Sequence, residues 1–313
     1  MTSQALSSTS QSHRPVLTFR QWETITGWLL VAPWLLGFFL FTAGPMLASI
    51  ALSFSSWDLL TPPRWVGLDN YVKLATADPS VGRSLRVTTV YAFLSVPLNV
   101  AFGLFVALLL NERIKLQSLA RTVYYLPSVV SGVAVALLWR WIFAADFGLV
   151  NAFLALFGIQ GPAWLSDTRT ALPALIIMSL WGVGGGMVIY LAGLQSVPTS
   201  LYEAAEIDGA GSFRRFWNIT VPMISPVIFF QTIMGIIGAL QTFTQAFIMT
   251  DGGPKEATLF FLLYLYRNAF QYFKMGYAAA LAWVLFVYIL VLTLLVLRSS
   301  SSWVYYEGAL TRR

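Results

Sequence analysis

The chain has 313 residues, 58% of them apolar and 10% charged, with a net charge of +6 from 19 basic and 13 acidic side chains. Soluble domains carry about 25% charged residues, so this composition, with a mean hydropathy of +0.72, excludes a cytosolic enzyme and, for the chain as a whole, a disordered tail. The basic residues are scattered and form no stripe for a phosphate backbone, which excludes a nucleic-acid-binding module. With no cysteine there is no disulfide, iron–sulfur cluster, thiolate zinc site or Cys nucleophile, and the redox compartment stays open.

Residues 1–12 are rich in Ser, Thr and Gln, with neither an apolar run nor a small-residue cleavage site. They predict a disordered tail reaching residue 23 rather than a signal peptide; a Ser-rich transit peptide with Arg14 and Arg20 is the alternative. Six stretches then lack Asp, Glu, Lys and Arg: 24–57, 87–111, 122–139, 170–202, 216–250 and 275–297. Roughly 20 helical residues cover a hydrocarbon core of about 30 Å, so each can cross a bilayer. The stretches are continuously apolar rather than alternating, which argues against a transmembrane barrel. The predicted fold class is therefore an all-α integral membrane protein, six helices within residues 24–298, followed by a tail at 299–313. Surplus length in the first, fourth and fifth stretches predicts interfacial or tilted segments, and Pro33 and Gly44-Pro45 predict kinks in the first.

Between the first two stretches, Asp58, Arg64, Lys73, Asp78, Arg83 and Arg86 read as a solvated face. In the fourth, Trp181 and Tyr190 read as structural aromatics, and Gly182, Gly184, Gly185 and Gly186 as a site of tight helix packing. The segment 200–222 reads as two short helices joined at glycine. Ser200 and Glu203 have the spacing of a capping box, Gly209 and Gly211 suit left-handed turns, and Pro222 and Pro226 mark the approach to the fifth stretch. This loop is either a solvated helix-turn-helix or, because Ala204 and Ala205 are tiny and flanked by Tyr202, Glu203 and Glu206, a helix that sits in a groove of another protein. The fifth stretch carries Gln231, Gly235, Gly238, Gln241, Thr242 and Gln245 at helical steps of three and four. They either glue helices together or, with Gln241, Thr244 and Gln245 as the candidate residues, line a path for a polar solute.

Six crossings put both termini on one side, but the basic residues divide ten to nine and do not say which. No stretch carries an ionisable residue near its centre, which removes support from a proton-coupled carrier and from a membrane enzyme; no metal site is predicted. No phosphate-cradling G-x-x-x-x-G-K-[ST] sequence is present either, so energy for active transport must come from a partner. A stand-alone channel or a secondary carrier for small polar solutes remains the alternative.

Glu203, Ala204, Ala205, Gly209, Ile219 and Pro222 stand at the spacings of the E-A-A-x3-G-x9-I-x-L-P loop, with Val221 in place of its Leu. On these residues the chain resembles the membrane permease subunits of ABC importers. Further segments make it similar to the carbohydrate-uptake group, of maltose and glycerol-phosphate type. They are Trp65-Val66-Gly67-Leu68-Asp69-Asn70-Tyr71, Leu126-Pro127-Ser128, Thr250-Asp251-Gly252-Gly253-Pro254 and Gly276-Tyr277-Ala278-Ala279-Ala280. The resemblance implies a coupling helix within about 198–222 that docks on an ATP-binding subunit through Glu203, Ala204, Ala205 and Gly209. It implies a second homologous permease, an ATP-binding dimer that holds ATP and Mg, and an extracytoplasmic solute-binding protein that some outer charged residues would contact. It also implies a multi-pass position in a prokaryotic plasma membrane, both termini cytoplasmic, alternating access, and no cofactor in this chain.

Overall fold

A computed structural model describes residues 18–112 and 115–305, which fall into two units, one ending at Ala51 and the other beginning at Leu52. Most of the predicted N-terminal tail, and residues 306–313 of the C-terminal one, lie outside the described residues. Helix α1 (Phe19–Phe38) starts five residues ahead of the expected boundary because Thr18 and Gln21 form a capping box: Gln21 N–H donates to Thr18 Oγ1 and Thr18 N–H to Gln21 Oε1. Pro33 lies inside α1 without ending it. The irregularity falls instead at the π turn Phe39–Ala43, before α2 (Gly44–Ser53). Pro45 cannot donate and its ring crowds the carbonyl four residues back; the turn widens, and Gly44 N–H reaches Phe39 O.

The second unit opens with a two-residue ladder, β1 (Ser55–Ser56) antiparallel to β2 (Arg64–Trp65), and α3 (Asp69–Thr76). The Trp65–Tyr71 segment is stapled here: Trp65 stacks on Phe54, Asn70 Nδ2 donates to Ser53 O and Ser55 O, and Tyr71 Oη donates to Ser53 Oγ. Helix α4 (Pro79–Asn111) is about 50 Å long and begins eight residues before the predicted span. Asp78 caps it by accepting from Ser80 N–H, and Pro79 at the first position has no donor to lose. At its other end Gln117 Nε2 and Arg121 Nη2 donate to Leu110 O, where a helix terminus offers unpaired carbonyls and favours a cation.

The third and fourth spans are broken, contrary to the expected single helices. Helices α5 (Gln117–Val129) and α6 (Gly132–Ile142) meet at 101°, because Val130 and Ser131 are extended behind Pro127. After α7 (Leu149–Ala155), α8 (Ala171–Leu180) and α9 (Gly184–Gln195) meet at 45° around Trp181-Gly182-Val183. Residues 199–202, counted with the fourth stretch, belong to α10 (Thr199–Ile207). The fifth span is α11 (Ser212–Arg215), a π turn at Phe216–Thr220, and α12 (Val221–Leu240) in one rod. Pro222 and Pro226 therefore do not mark its start. The π turn lets the rod run through Pro222 as it does at Pro45, with Val221 N–H on Phe216 O. The rod ends at Gln241–Phe243, before α13 (Thr244–Met249). Then come α14 (Phe261–Tyr266) and α15 (Met275–Ser299). Among the described residues four helical rods are long and apolar enough to span a membrane, and six spans result when each bent pair counts as one.

Within the second unit α4 is the central post, packed by α8, α9, α12 and α14. One apolar cluster joins Tyr91, Val96, Leu175, Leu240 and Phe260; another joins Val106, Leu110, Met187, Tyr190, Leu194 and Ile224. Polar bonds tie the helices near the start of α4. Phe261 N–H donates to the buried Thr88 Oγ1, and Thr89 Oγ1 pairs with Tyr288 Oη. Asp78 and Arg83 are not simply a solvated face. Asp78 Oδ2 accepts from both Tyr264 Oη and, at 2.6 Å, Tyr277 Oη, while Arg83 bridges to Glu256 at 2.6 Å. The Thr250–Pro254 turn is knitted by Thr250 Oγ1 to Thr258 Oγ1 and by Arg267 to Asp251.

Candidate functional site

Two features of the second unit carry chemistry, a protruding loop and a cavity. The predicted Ser200/Glu203 capping box does not form. The helix begins at Thr199 with Pro198 as its cap residue, so Ser200 is already in the first turn. The other end is built as the sequence requires. Gly209 takes φ +74°, Gly209 N–H donates to Glu206 O and Ala210 N–H to Ala205 O at 2.8 Å, the two bonds of a Schellman stop. Gly211 does not turn left-handed; its φ is −67° and it leads into α11. A left-handed residue with a Cβ costs roughly 1–2 kcal/mol. Gly209→Ala is therefore expected to loosen the loop by about that amount, and Gly211→Ala to change stability by less than about 0.5 kcal/mol. Limited proteolysis of the 199–222 segment in the purified protein compares the two.

The loop is fixed on its inner face and bare on its outer one. Tyr202, Phe216 and Ile219 pack on the cluster of Leu194, Val197 and Ile224, and Tyr202 Oη pairs with Thr220 Oγ1 at 2.9 Å. Glu203, Ala204 and Gly209 are exposed, and Ala205 is half-buried. Beside them stand Ile207, 88% exposed, and Phe213, 78% exposed. These two were not singled out from the sequence, although a large apolar residue amid Glu206, Asp208 and Gly209 is itself a signal. The Glu206–Arg215 pair at 3.6 Å is solvated and adds little stability.

Between α4, α9 and α12 lies a cavity of about 340 Å³. Its polar groups come from Tyr91, Ser95 and Asn99 of α4, Gln231 of α12, Thr242, and Gln245 of α13. Asn99 Nδ2 is oriented by Ser95 O and Ser179 Oγ, both at 2.8 Å. Gly186 leaves room for this amide: a Cβ on it would lie 2.5 Å from Gln231 Nε2 and push that side chain aside. A second cavity of about 240 Å³ adjoins Tyr91 and Gln245 and is walled by Trp181, Met178 and Leu175. Among the described residues no Asp, Glu, Lys, Arg or His lines either one.

Of the three candidate path residues, Gln245 lines both cavities. Gln241 does not; it caps the C-terminus of α12 and is exposed. Thr244 turns toward Gly132 on α6. The stripe Gln231, Gly235, Gly238 and Thr242 does face the cavity, and Tyr190, read as structural, lines its wall. The α4 set was missed, yet Tyr91, Ser95 and Asn99 stand at steps of four, one helix face in an otherwise apolar span. Among the described residues no cluster of His, Asp and Glu could hold a metal.

The family described as the inner membrane component of binding-protein-dependent transport systems matches residues 99–303. The chain belongs to that family. The permease is 45% identical over 290 residues to the probable ABC transporter permease protein YesP of Bacillus subtilis (strain 168), covering 91% of this chain and 94% of that one. It is 35% identical over 286 residues to the lactose transport system permease protein LacF of Rhizobium radiobacter, covering 89% and 95%. Its fold matches a chain in the crystal structure of a bacterial alginate ABC transporter in complex with alginate pentasaccharide-bound periplasmic protein. The TM-score is 0.78 at 26% identity, covering 90% of this chain and 97% of that one. The permease is thus a multi-pass membrane subunit of a binding-protein-dependent ABC importer, with transport rather than catalysis as its task.

Proposed function

We propose that the permease passes a sugar or sugar-like solute through the cavity between α4, α9 and α12, by alternating access driven from the 199–222 loop. A ring of uncharged hydrogen-bonding groups beside aromatic walls carries this reading, because hydroxyl-rich solutes need donors and acceptors but no counter-charge. A carbohydrate cargo agrees with what the lactose and alginate relatives are named for. The solute arrives from an extracytoplasmic binding protein, a second homologous permease completes the path, and ATP with Mg is held by a dimer of ATP-binding subunits. On this reading α10 is the coupling helix. Glu203, Ala204, Ala205 and Gly209 present the docking surface, Ile207 and Phe213 add its apolar anchors, and the loop and both termini lie in the cytoplasm.

Gln245 belongs to the solute path and Gln241 and Thr244 do not touch it directly. Gln245→Ala is expected to raise the KM for uptake about tenfold, the worth of one or two buried hydrogen bonds, while Gln241→Ala leaves KM unchanged. Concentration-dependent uptake of the solute bound by the cognate binding protein checks both; equal KM values for Gln245→Ala and the wild type would remove the cavity from the path. Co-purification separates this reading from a stand-alone channel or secondary carrier. A complex with an ATPase and a second permease supports it, and ATP-independent uptake by the isolated chain in liposomes overturns it.

A further inference from the structure

Helices α5 and α9 pack tightly at Gly184, where a Cβ would overlap the Tyr124 carbonyl oxygen and lie 2.8 Å from Tyr125 Cα. Beside this contact the two helices line an open wedge of about 380 Å³ that includes Arg121 and Gln195. Its walls are apolar along Met187, Val188 and Leu191, a stretch that with Gln195 covers about 12 Å of helix. Its far end is basic and polar. Arg121 spends Nη2 on Leu110 O, and its Nε is buried with no partner among the described residues. Thr122 and Gln195 add a hydroxyl and an amide beside it. Water does not suit walls of Met and Leu, and a guanidinium held only by a backbone carbonyl, with no carboxylate paired to it among the described residues, suits an anion.

We infer that this wedge binds an anionic phospholipid, its phosphate at Arg121 and an acyl chain along Met187 and Leu191. Basic pockets between transmembrane helices at the cytoplasmic face are suited to such headgroups, and Gln195 lies four residues before α10. Assignment to the cytoplasmic leaflet rests on the loop orientation proposed above; the site itself does not.

The test uses the full-length permease complex in nanodiscs of phosphatidylcholine with a minor share of phosphatidylglycerol in both leaflets, re-extracted and weighed by native mass spectrometry. The wild type is expected to retain phosphatidylglycerol in preference to phosphatidylcholine. Arg121→Gln, which keeps an amide donor for Leu110, is expected to lower that retention about fivefold, and Arg121→Lys to restore most of it. Val188→Trp, at a position 45% exposed, fills the wedge without touching the charge and is expected to lower retention too. Equal retention of both lipids by the wild type, or unchanged retention in both Arg121→Gln and Val188→Trp, overturns the site. So does a Val188→Cys side chain that crosslinks to a co-purified protein, since protein and not lipid would then cover the wedge. Because both leaflets carry the probe, none of these results depends on which side the loop faces.

Discussion

Ile207→Asp is expected to abolish solute uptake while leaving the permease folded and inserted. Ile207 is 88% exposed and belongs to no buried cluster, so the fold loses nothing when it becomes polar. On the proposed docking surface it is the kind of apolar anchor whose loss costs 2 kcal/mol or more, about 30-fold in affinity for the ATP-binding subunit. Glu203→Lys combined with Gly209→Arg should be more severe. It reverses a rim charge and forces a side chain onto the φ +74° position, for a combined loss on the order of 100-fold or more. Uptake by cells and pull-down of the ATPase are read together with membrane levels of the variants. Wild-type accumulation against a gradient in the double variant would refute the coupling role of α10.

Asp78→Ala has the largest expected effect on stability. It removes the cap of α4 and leaves the hydroxyls of Tyr264 and Tyr277 without their acceptor, a cost of about 2–3 kcal/mol. Asp78→Asn keeps an acceptor oxygen and should cost about 1 kcal/mol. Thermal unfolding in detergent ranks the two against the wild type, and equal midpoints for all three would show that the cluster does not contribute to stability. Partial burial pushes the Asp78 carboxyl up, but the hydrogen bonds from Tyr264, Tyr277 and Ser80 N–H and the charge of Lys73 outweigh it, and its pKa is lowered. A carboxylate depressed in the folded state contributes stability that is present above its unfolded value near 3.8 and lost as pH falls through the folded value. Tyr264 acts at the other end. Burial and the Asp78 carboxylate push it up to about 12, so its contribution is whole below pH 10 and disappears as pH rises from there toward 12. The unfolding midpoint is expected to fall at both extremes in the wild type, and the acid-side fall to shrink in Asp78→Asn.

Composition and the charge-free runs revealed the all-α membrane class and where its apolar helices lie because the cost of burying charge in lipid writes itself along the sequence. The helix breaks were less visible. Val130-Ser131 and Trp181-Gly182-Val183 are as apolar or small as their surroundings, and hydropathy does not register a change of direction. Gly209 was legible since a turn at the end of a polar helix needs a left-handed residue, whereas Gly211, two residues further on, had the same type without the same demand. The cavity lining was half legible. Gln231, Gly235 and Gly238 share a helix face that the rod preserves, but the rod stops at Gln241, so residues beyond it follow a new axis and Thr244 turns to α6. Asp78 looked like any surface acid; its two tyrosine partners lie 186 and 199 residues away, a pairing that no local pattern announces.

The wide turn at Phe216–Thr220 sets the angular phase of everything before it. A π turn holds one residue more than the α-helix it interrupts, and each residue corresponds to about 100° of rotation. Excising a single residue there, Asn218 for example, would let the backbone close to regular winding and swing α11 and the loop by about that angle. Ile207 and Glu203 would then face sideways while the cavity wall at Gln231 and Gly235 stayed put, so this one surplus residue works as a clocking key between the loop end of the rod and its cavity-facing side.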